Sequence, residues 1–267
     1  MDTVGINEAE RLQQLIARTI AVNPAGRNLL LIGGFRYRFL DGSARMSRDV
    51  DYHWDGDLAT KQEELVRLFN RTLLAEVRRT LGYNGTAAPA HGPDEDSQVV
   101  RVVNLAFWKL DIAASRIEIP VEITKIAKLD PTVQSVKAGT IYPTASKKDM
   151  VESKIIALLN RTFIKHRDFV DLFFFQEELR EDSRRRLKRK FGDVGLGDER
   201  VRGRVSDFVS HPDYHARAVQ EIIDDQLDPV AAENINDVGG GRMVFDTVLK
   251  LLEHYVLGKE GGRCEGI

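Results

Sequence analysis

The sequence predicts an α/β protein in which strands and helices mix in the first half and helices alone form the second. Four apolar residues from Leu29 to Ile32 are typical of a short buried strand. Residues 45–52 alternate between polar and apolar positions, with Arg48 as the exception, which indicates a second strand. From Ala145 almost to the C-terminus the apolar spacing is helical. We therefore predict a domain of residues 1–143, a helical domain of residues 144–258 and a disordered tail of residues 259–267.

Apolar spacing predicts three helices around these first two strands. Residues 7–22 form an amphipathic pattern with Asn7 as the candidate N-cap. Residues 35–40 favour a short helix that begins at the pair of glycines before them. Residues 58–81 again repeat their apolar positions at helical spacing, with charges in between. This last segment is expected to be a solvated crossover helix.

Beyond that helix, loop and strand signals alternate. Residues 84–97 are rich in glycine, proline and acids, and predict a loop. Residues 98–110 and 116–126 predict two strands. Residues 129–143 have the composition of a connector, and Ser146 is placed to cap the first helix of the second half.

Composition limits the class of protein. The 267 residues are 42% hydrophobic and 30% charged, with a formal net charge of −2, so net charge alone points to no particular partner. The single cysteine, Cys264, excludes an intramolecular disulfide and a cysteine-based zinc site. Apolar runs are shorter than the roughly 18–20 residues needed to cross a bilayer, and the first residues lack the basic start and apolar core that are typical of a signal peptide. We expect a cytoplasmic protein without a membrane partner.

Two carboxylates stand out in the second strand. Residues two apart on a strand share a face, so Asp49 and Asp51 point the same way. Carboxylates held this close repel each other unless a cation lies between them. Mg²⁺ prefers oxygen ligands at about 2.0–2.1 Å and commonly bridges carboxylates to substrate phosphates. The pair therefore predicts a divalent metal site.

The residues around this pair resemble a known motif. The pattern GG…R-x-S-x-D-x-D is similar to the first motif of the nucleotidyltransferase superfamily, in the form found in its AbiEii/AbiGii toxin branch, to which the MenA-type toxins are related. It is carried by Gly33, Gly34, Arg45, Ser47, Asp49 and Asp51. The resemblance implies the nucleotidyltransferase fold, a mixed sheet with flanking helices, followed here by the helical domain.

Two later segments extend the resemblance. Residues 152–161 resemble the family element E-x-K-x-x-A-L…R, and residues 167–172 resemble R-D-x-x-D-L. The resemblance implies that Lys154 holds the triphosphate and that Asp168 lies near the nucleotide or organises the basic residues. The alternatives are a snorkelling surface lysine and, for Arg167, Asp168 and Asp171, a structural ion-pair network between helices.

A third carboxylate is implied on the strand of residues 116–126. Glu122, within Val-Glu-Ile, resembles the family's apolar-acid-apolar element and is the first choice. Glu118 lies four residues away on the same face and is the second candidate. The alternative is that both glutamates merely face solvent.

The activity implied by the resemblance is nucleotidyl transfer. Two metal ions, Mg²⁺ or Mn²⁺, would be shared by Asp49, Asp51 and Glu122, and a nucleoside monophosphate would pass from a nucleoside triphosphate to an acceptor hydroxyl. The implied acceptor is RNA (tRNA) or a protein, and an antitoxin protein would restrain toxicity.

Each remaining motif residue receives an expected role. Gly33 and Gly34 would let the backbone enclose the phosphates. Ser47 would donate a hydrogen bond to them or to a neighbouring loop, and Arg45 would offset phosphate charge or brace Asp49.

Other readings compete. The main rival is a catalytically inactive protein of the same fold that binds or regulates. A calcium loop starting at Asp51 lacks two ligands, because His53 and Gln62 occupy ligand positions. A D-x-D glycosyltransferase would need more chain before its acids. A zinc site at His211 and His215 lacks the glutamate that such helices carry. The basic run of residues 184–190 is either a solvated helix face or a grip for RNA phosphates.

Overall fold

The computed structural model describes residues 7–90, 100–109 and 116–259, which form two compact units. The described residues within 1–43, 47–126 and 131–145 belong to the first unit, and those within 44–46, 127–130 and 146–259 belong to the second. Each unit buries a hydrophobic core of its own. Among the described residues, no helix combines the length and the apolar character that crossing a bilayer requires.

A seven-stranded mixed sheet forms the centre of the first unit. Its strands are β1 (Leu30–Ile32), β2 (Val50–His53), β3 (Asn84–Ala90), β4 (Val100–Trp108), β5 (Ile117–Thr124), β6 (Val133–Lys137) and β7 (Thr140–Thr144). The spatial order is β3-β4-β5-β2-β1-β7-β6. The β2–β5 and β1–β7 pairs are parallel, and the other neighbours are antiparallel. The predicted mixed sheet is confirmed.

The predicted helices of the first unit are also present. They are α1 (Glu8–Ala21), α2 (Gly33–Asp41), α3 (Leu58–Leu68) and α4 (Leu74–Leu81), with a π-helical turn at Phe69–Leu73 between the last two. The Asn7 side chain accepts a hydrogen bond from the Glu10 amide and caps α1 as expected. Helix α1 packs against β5 and β7, α2 against β2, and α3 against β4. The helices therefore cover the sheet with the apolar faces that the spacing predicted.

Two segments differ from the prediction. The expected loop of residues 84–97 contains β3, which pairs with β4 along its whole length. Its alanines, glycine and proline have low intrinsic strand preference, so the strand depends on its neighbour rather than on local sequence. The expected connector of residues 129–143 contains the β6–β7 hairpin, which turns through Ala138 and Gly139, both at positive φ. Predictions for residues 91–99, 110–115 and 260–267 lie outside the described residues.

The second strand is shorter than the alternation indicated. β2 begins at Val50, and Arg45 instead forms an isolated antiparallel bridge with Leu227 inside the second unit. The Met46 amide donates to the Gln226 carbonyl at 2.7 Å, and the Asp228 amide donates to the Ala44 carbonyl at 3.0 Å. Residues 44–46 are thus built into the helical unit, while Ser47 starts the segment of the first unit that carries Asp49.

The described part of the second unit is mainly helical, as predicted. Its helices are α5 (Lys147–Asn160), α6 (Arg167–Phe175), α7 (Ser183–Asp193), α8 (Asp198–Ser210), α9 (Pro212–Gln226), α10 (Pro229–Asp237) and α11 (Gly240–Leu252). Ser146 caps α5 by accepting from the Asp149 amide at 3.0 Å. Helix α11 packs against α9 and α6. A β-carbon at Gly241 would lie 2.5 Å from the Ala216 carbonyl oxygen, so only glycine allows α11 to approach α9 this closely.

Candidate active site

Three carboxylates from two neighbouring strands converge in the first unit. Asp51 on β2 is the register partner of Glu122 on β5, and Asp49 lies directly before β2 on the same face as Asp51. One carboxylate oxygen from each residue lies within 4.8 Å of the other two. Asp49 is buried, and the other two are half-buried. Within the described chain this is the cluster of acidic and histidine side chains compact enough to hold a metal ion.

Asp49 is held in place from two sides. The Ser47 hydroxyl donates to Oδ1 of Asp49 at 2.6 Å, so the expected donor role of Ser47 is directed here at the carboxylate. The Gln13 amide nitrogen of α1 donates to the Ser47 carbonyl oxygen at 2.9 Å, and Gln13 itself is buried. Sequence reasoning missed Gln13, because the apolar spacing of α1 gives no sign that a polar residue on that helix contacts the loop before β2.

Gly33 makes room for the Asp51 carboxylate. Gly33 begins α2 with φ of +78°, and a β-carbon there would lie 1.7 Å from Oδ2 of Asp51. Any side chain at this position would displace the carboxylate. Ile32, the N-cap of α2, has no side chain that could bond the first-turn amides. A helix N-terminus carries partial positive charge that favours nearby anions, so α2 begins where carboxylate and phosphate oxygens are stabilised.

The donor set suits a hard divalent cation. Three negative charges this close are unfavourable without a compensating cation, particularly where Asp49 is buried. Carboxylate oxygens are the ligands that Mg²⁺ and Mn²⁺ prefer. The absence of a side chain at Gly33 lets the Asp51 carboxylate lie against the start of α2, within the cluster. Asp49, Asp51 and Glu122 are therefore the residues that could hold a metal here.

A second charged cluster lies within the helical unit. Arg45 donates two parallel hydrogen bonds to Asp171, from Nε to Oδ1 at 2.6 Å and from Nη2 to Oδ2 at 2.9 Å. The Lys154 ammonium on α5 lies 2.8 Å from Oδ1 of Asp168 and 2.9 Å from Oδ2 of Asp171. Arg161 donates from Nη1 to the second oxygen of Asp168 at 2.5 Å. The two aspartates of α6 thus collect three cations.

Burial and the neighbouring charges shift the pKa values in this cluster in opposite directions, and the effect of the charges is larger. Burial alone would raise the pKa of Asp171, but Lys154 and Arg45 lower it to about 2. Burial likewise opposes the lowered pKa of Asp168, which Lys154 and Arg161 produce. The pKa of Lys154 is raised against its desolvation by both aspartates. The lysine and the aspartates are therefore all charged near neutral pH.

Comparison with protein families decides the identity. A family model described as nucleotidyl transferase AbiEii toxin, type IV TA system, matches residues 14–249. This chain belongs to the AbiEii family. It is accordingly a nucleotidyltransferase of a toxin family. No curated protein sequence matches the chain significantly.

Solved structures agree on the fold of this AbiEii-family chain. A nucleotidyltransferase candidate from H. pylori is 17% identical with a TM-score of 0.51, and the match covers 95% of this chain and all of the other. MenT4, the nucleotidyltransferase toxin Rv2826c from Mycobacterium tuberculosis H37Rv, is 15% identical with a TM-score of 0.52, covering 91% of this chain and 92% of that one. At such identity the likeness concerns the fold alone.

The structure distinguishes the two glutamates that the AbiEii-like sequence pattern left open. Glu122 lies in the carboxylate cluster through its pairing with Asp51. Glu118 is exposed, pairs in register with Ala106, and accepts a hydrogen bond from Arg116 Nε at 2.8 Å. The sequence could not distinguish the two glutamates, because they lie on the same face of one strand. The register between β2 and β5 distinguishes them.

The basic run of this AbiEii-family chain is only partly a solvated face. Arg186 and Lys190 of α7 turn inward onto three acids, with Lys190 Nζ at 2.7 Å from Oδ1 of Asp149 and 2.8 Å from Oε2 of Glu152. Arg186 donates to Asp130, Asp149 and Glu152. Asp149 also accepts from the backbone amide of Leu129 at 3.0 Å. The sequence pattern that could have predicted this contact is two acids spaced three residues apart on α5 and two cations spaced four residues apart on α7.

The two histidines considered for zinc have other partners. His215 is buried, and its Nδ1 lies 3.0 Å from Nε2 of His166. Burial lowers the pKa of His166 to about 4, helped by the neighbouring His215. His211 is exposed and contacts Asp207. Together with Phe169 and Phe208, the half-buried His166 and the buried His215 form part of an aromatic packing cluster.

Proposed function

We propose that this AbiEii-family protein moves a nucleoside monophosphate from a nucleoside triphosphate to an acceptor hydroxyl and depends on Mg²⁺ or Mn²⁺ held by Asp49, Asp51 and Glu122. The observation that carries this proposal is the convergence of three carboxylate oxygens, from two separate strands, to within 4.8 Å of one another. Family membership supplies the class of reaction. The metal dependence rests on the geometry of the acids.

The chain's own residues have distinct tasks in this proposal. A divalent cation bound to the acids would supply positive charge to the triphosphate and lower the pKa of the attacking hydroxyl. Ser47 fixes the Asp49 carboxylate through its 2.6 Å hydrogen bond. Gly33 lets the Asp51 carboxylate approach the start of α2, and the first-turn amides of α2, at Gly33 and Gly34, are suited to phosphate oxygens.

The roles of Lys154, Asp168 and Arg45 remain proposals. Lys154, which Asp168 and Asp171 keep charged, would offset charge on the triphosphate, the role that the family resemblance implies. Asp168 is suited to organise Lys154 and Arg161, because its two oxygens contact one cation each. Arg45 is buried on Asp171, an arrangement that favours positioning over a direct grip on phosphate.

The partners follow from the family and the chemistry. The substrate is a nucleoside triphosphate, and we propose RNA, with tRNA as one form of it, as the acceptor in preference to protein. Because the family is described as the toxin of a type IV toxin–antitoxin system, we also propose that an antitoxin protein opposes this activity.

A labelling experiment tests the proposal. The protein is incubated with Mg²⁺, total RNA and each of the four α-labelled nucleoside triphosphates in turn, and RNA and protein are then assayed for label. Wild type should transfer label, whereas EDTA or the isosteric change Asp49→Asn with Asp51→Asn should lower the rate at least about a hundredfold. Glu118→Gln is the matched control and should keep the rate, since Glu118 lies outside the cluster.

The same experiment addresses the non-catalytic alternative. A binding or regulatory protein of this fold would bind nucleotide without moving label under any of the four conditions. Equal labelling by wild type and the double asparagine variant would remove the acids from the reaction and contradict the proposed metal site.

A further inference from the structure

Phe163 is set apart from the other phenylalanines of the chain. It lies in the loop of residues 161–166 between α5 and α6, and its side chain is 83% exposed. The chain has twelve phenylalanines, and each of the other eleven is buried or half-buried. Phe163 therefore adds nothing to the helical core. A single exposed apolar residue is common on protein surfaces, so its meaning depends on what surrounds it.

Three arginines and one lysine lie within or next to this loop. Arg200 and Arg204, one turn apart on α8, donate from Nη2 to the carbonyl oxygens of Asn160 and Arg161, the second at 2.5 Å. These bonds bring two guanidinium groups to Asn160 and Arg161, which are three and two residues before Phe163. Arg161 is itself partly exposed, and Lys165 lies two residues after Phe163.

A second aromatic ring lies next to the same loop. Tyr214, at the start of α9, is 60% exposed and meets the ring of His166 edge to face at a centroid distance of 5.8 Å. Asp207 of α8 is the neighbouring acid and contacts His211. The surface made by Arg161, Phe163, Lys165, Arg200, Arg204 and Tyr214, which we call the Phe163 surface, thus combines two exposed rings with four cations.

We propose that the Phe163 surface binds the acceptor as single-stranded RNA, an inference that rests on the proposed function. Exposed aromatic rings offer faces on which unstacked bases stack, and arginine and lysine attract the phosphodiester backbone. A duplex keeps its bases stacked on each other and cannot use the rings, so the surface fits a single strand. A protein partner would require a broader apolar patch than one phenylalanine ringed by cations.

The basic run of α7 is the rival surface, and the structure disfavours it. Arg186 and Lys190 are committed to buried acids, and the exposed cations left on α7 have no aromatic residue interleaved with them. Such a face attracts phosphates without holding bases. The two surfaces can therefore be separated by matched substitutions.

Binding of a short unstructured RNA oligonucleotide labelled with fluorescein is measured by anisotropy with the full-length protein, without metal or nucleotide. Phe163→Ala and Phe163→Leu should each weaken binding at least about fivefold, because leucine keeps the apolar volume but not the ring. Arg200→Gln with Arg204→Gln should lower the slope of log Kd against log salt by about 1.4. Arg185→Gln with Lys188→Gln on α7 removes the same charge and should leave the effect of Phe163 and most of the affinity in place.

The proposal is wrong if Phe163→Leu binds the single-stranded RNA with wild-type affinity, or if the wild-type protein binds the duplex of the same sequence equally well. It is also wrong if only the α7 double variant loses RNA binding, or if the wild-type protein does not bind the RNA at low salt. Thermal unfolding of Phe163→Leu should match wild type because the side chain is exposed.

RNA binding at this surface does not depend on the carboxylate cluster, so the double variant Asp49→Asn with Asp51→Asn should bind RNA with wild-type affinity. Intact RNA binding without label transfer would refute only the proposed function, and transfer with unchanged binding in Phe163→Leu would refute only this surface.

Discussion

Asp51 and Glu122 are direct register partners across a parallel strand pair, β2 and β5. Register partners in a sheet place their side chains on the same face, so the two carboxylates are brought together by backbone hydrogen bonding rather than by flexible loops. Asp49 joins them from the residue before β2. The positions of these carboxylates therefore depend on the sheet, and a substitution that shifts either strand or a carboxylate should lower the rate of nucleotidyl transfer.

Replacing Gly33 by alanine should impair activity far more than stability. The β-carbon would lie 1.7 Å from Oδ2 of Asp51 and force that carboxylate to move, while positive φ itself costs about 1–2 kcal/mol for alanine. We expect at least about a tenfold fall in transfer rate, measured with labelled nucleotide.

The matched control for Gly33 is Gly42→Ala. Gly42 has nearly the same φ, +74°, but nothing lies within 4 Å of the added carbon. This variant should lose a similar 1–2 kcal/mol in urea unfolding, as positive φ requires of alanine, and keep its activity. Equal activity of the two variants would show that Gly33 does not protect Asp51.

The ion pairs that Asp171 makes with Lys154 and Arg45 should make stability fall in acid. The pKa of Asp171 is lowered to about 2 in the folded state, against about 3.9 in the unfolded chain, so its contribution is present above pH 4 and is lost as the pH falls toward 2. The size of that contribution is about 2 kcal/mol. The free energy of unfolding in urea, measured across this pH range, should show the decrease. The Asp171→Asn variant should be less stable than wild type, and its free energy of unfolding should fall less steeply with falling pH.

Removing Arg45 from its ion pair with Asp171 leaves a buried carboxylate that has lost one of its cations. Lys154 remains 2.9 Å from Asp171, so Arg45→Met should destabilise the protein by about 3 kcal/mol, the lower end for a broken buried pair. The double variant with Asp171→Leu should be more stable than Arg45→Met alone, because Lys154 keeps Asp168 as its partner. A double variant that is no better than the single one would argue against charge burial as the cause.

Lys190 should matter to stability although it lies in a basic run. Its side chain is fully buried between Asp149 and Glu152, so Lys190→Met strands two carboxylates that Arg186 only partly compensates. We expect a loss of about 3 kcal/mol in the free energy of unfolding. Lys188→Met on the exposed face of the same helix should change it by less than about 0.5 kcal/mol. Similar losses for both would mean that the helix tolerates charge removal equally on either face.

Much of this architecture could be read from local sequence. The buried strand before Gly33, the helix capped by Asn7 and the helix capped by Ser146 were predictable because their signals lie within a few residues. β3 was not, because its alanines, glycine and proline have weak strand preference and it depends on pairing with β4. β6 and β7 were not, because the loop-like composition around their turn at Ala138 and Gly139 concealed a hairpin whose second strand pairs with the distant β1.

The candidate site divides in the same way. Asp49 and Asp51 follow from alternation, but choosing Glu122 over Glu118 required the register between β2 and β5. The partners of Arg45 and Lys190 were hidden for a related reason. Both ion pairs join elements that lie far apart in the sequence, Asp171 being 126 residues from Arg45.

Direct titration of Mn²⁺ tests the central claim that three carboxylates form one cation site. Isothermal calorimetry on the wild-type protein should detect binding that Asp51→Asn and Glu122→Gln each abolish or weaken at least about tenfold. Glu118→Gln should bind like wild type, because that glutamate lies outside the cluster. Wild-type affinity in both Asp51→Asn and Glu122→Gln would contradict the account.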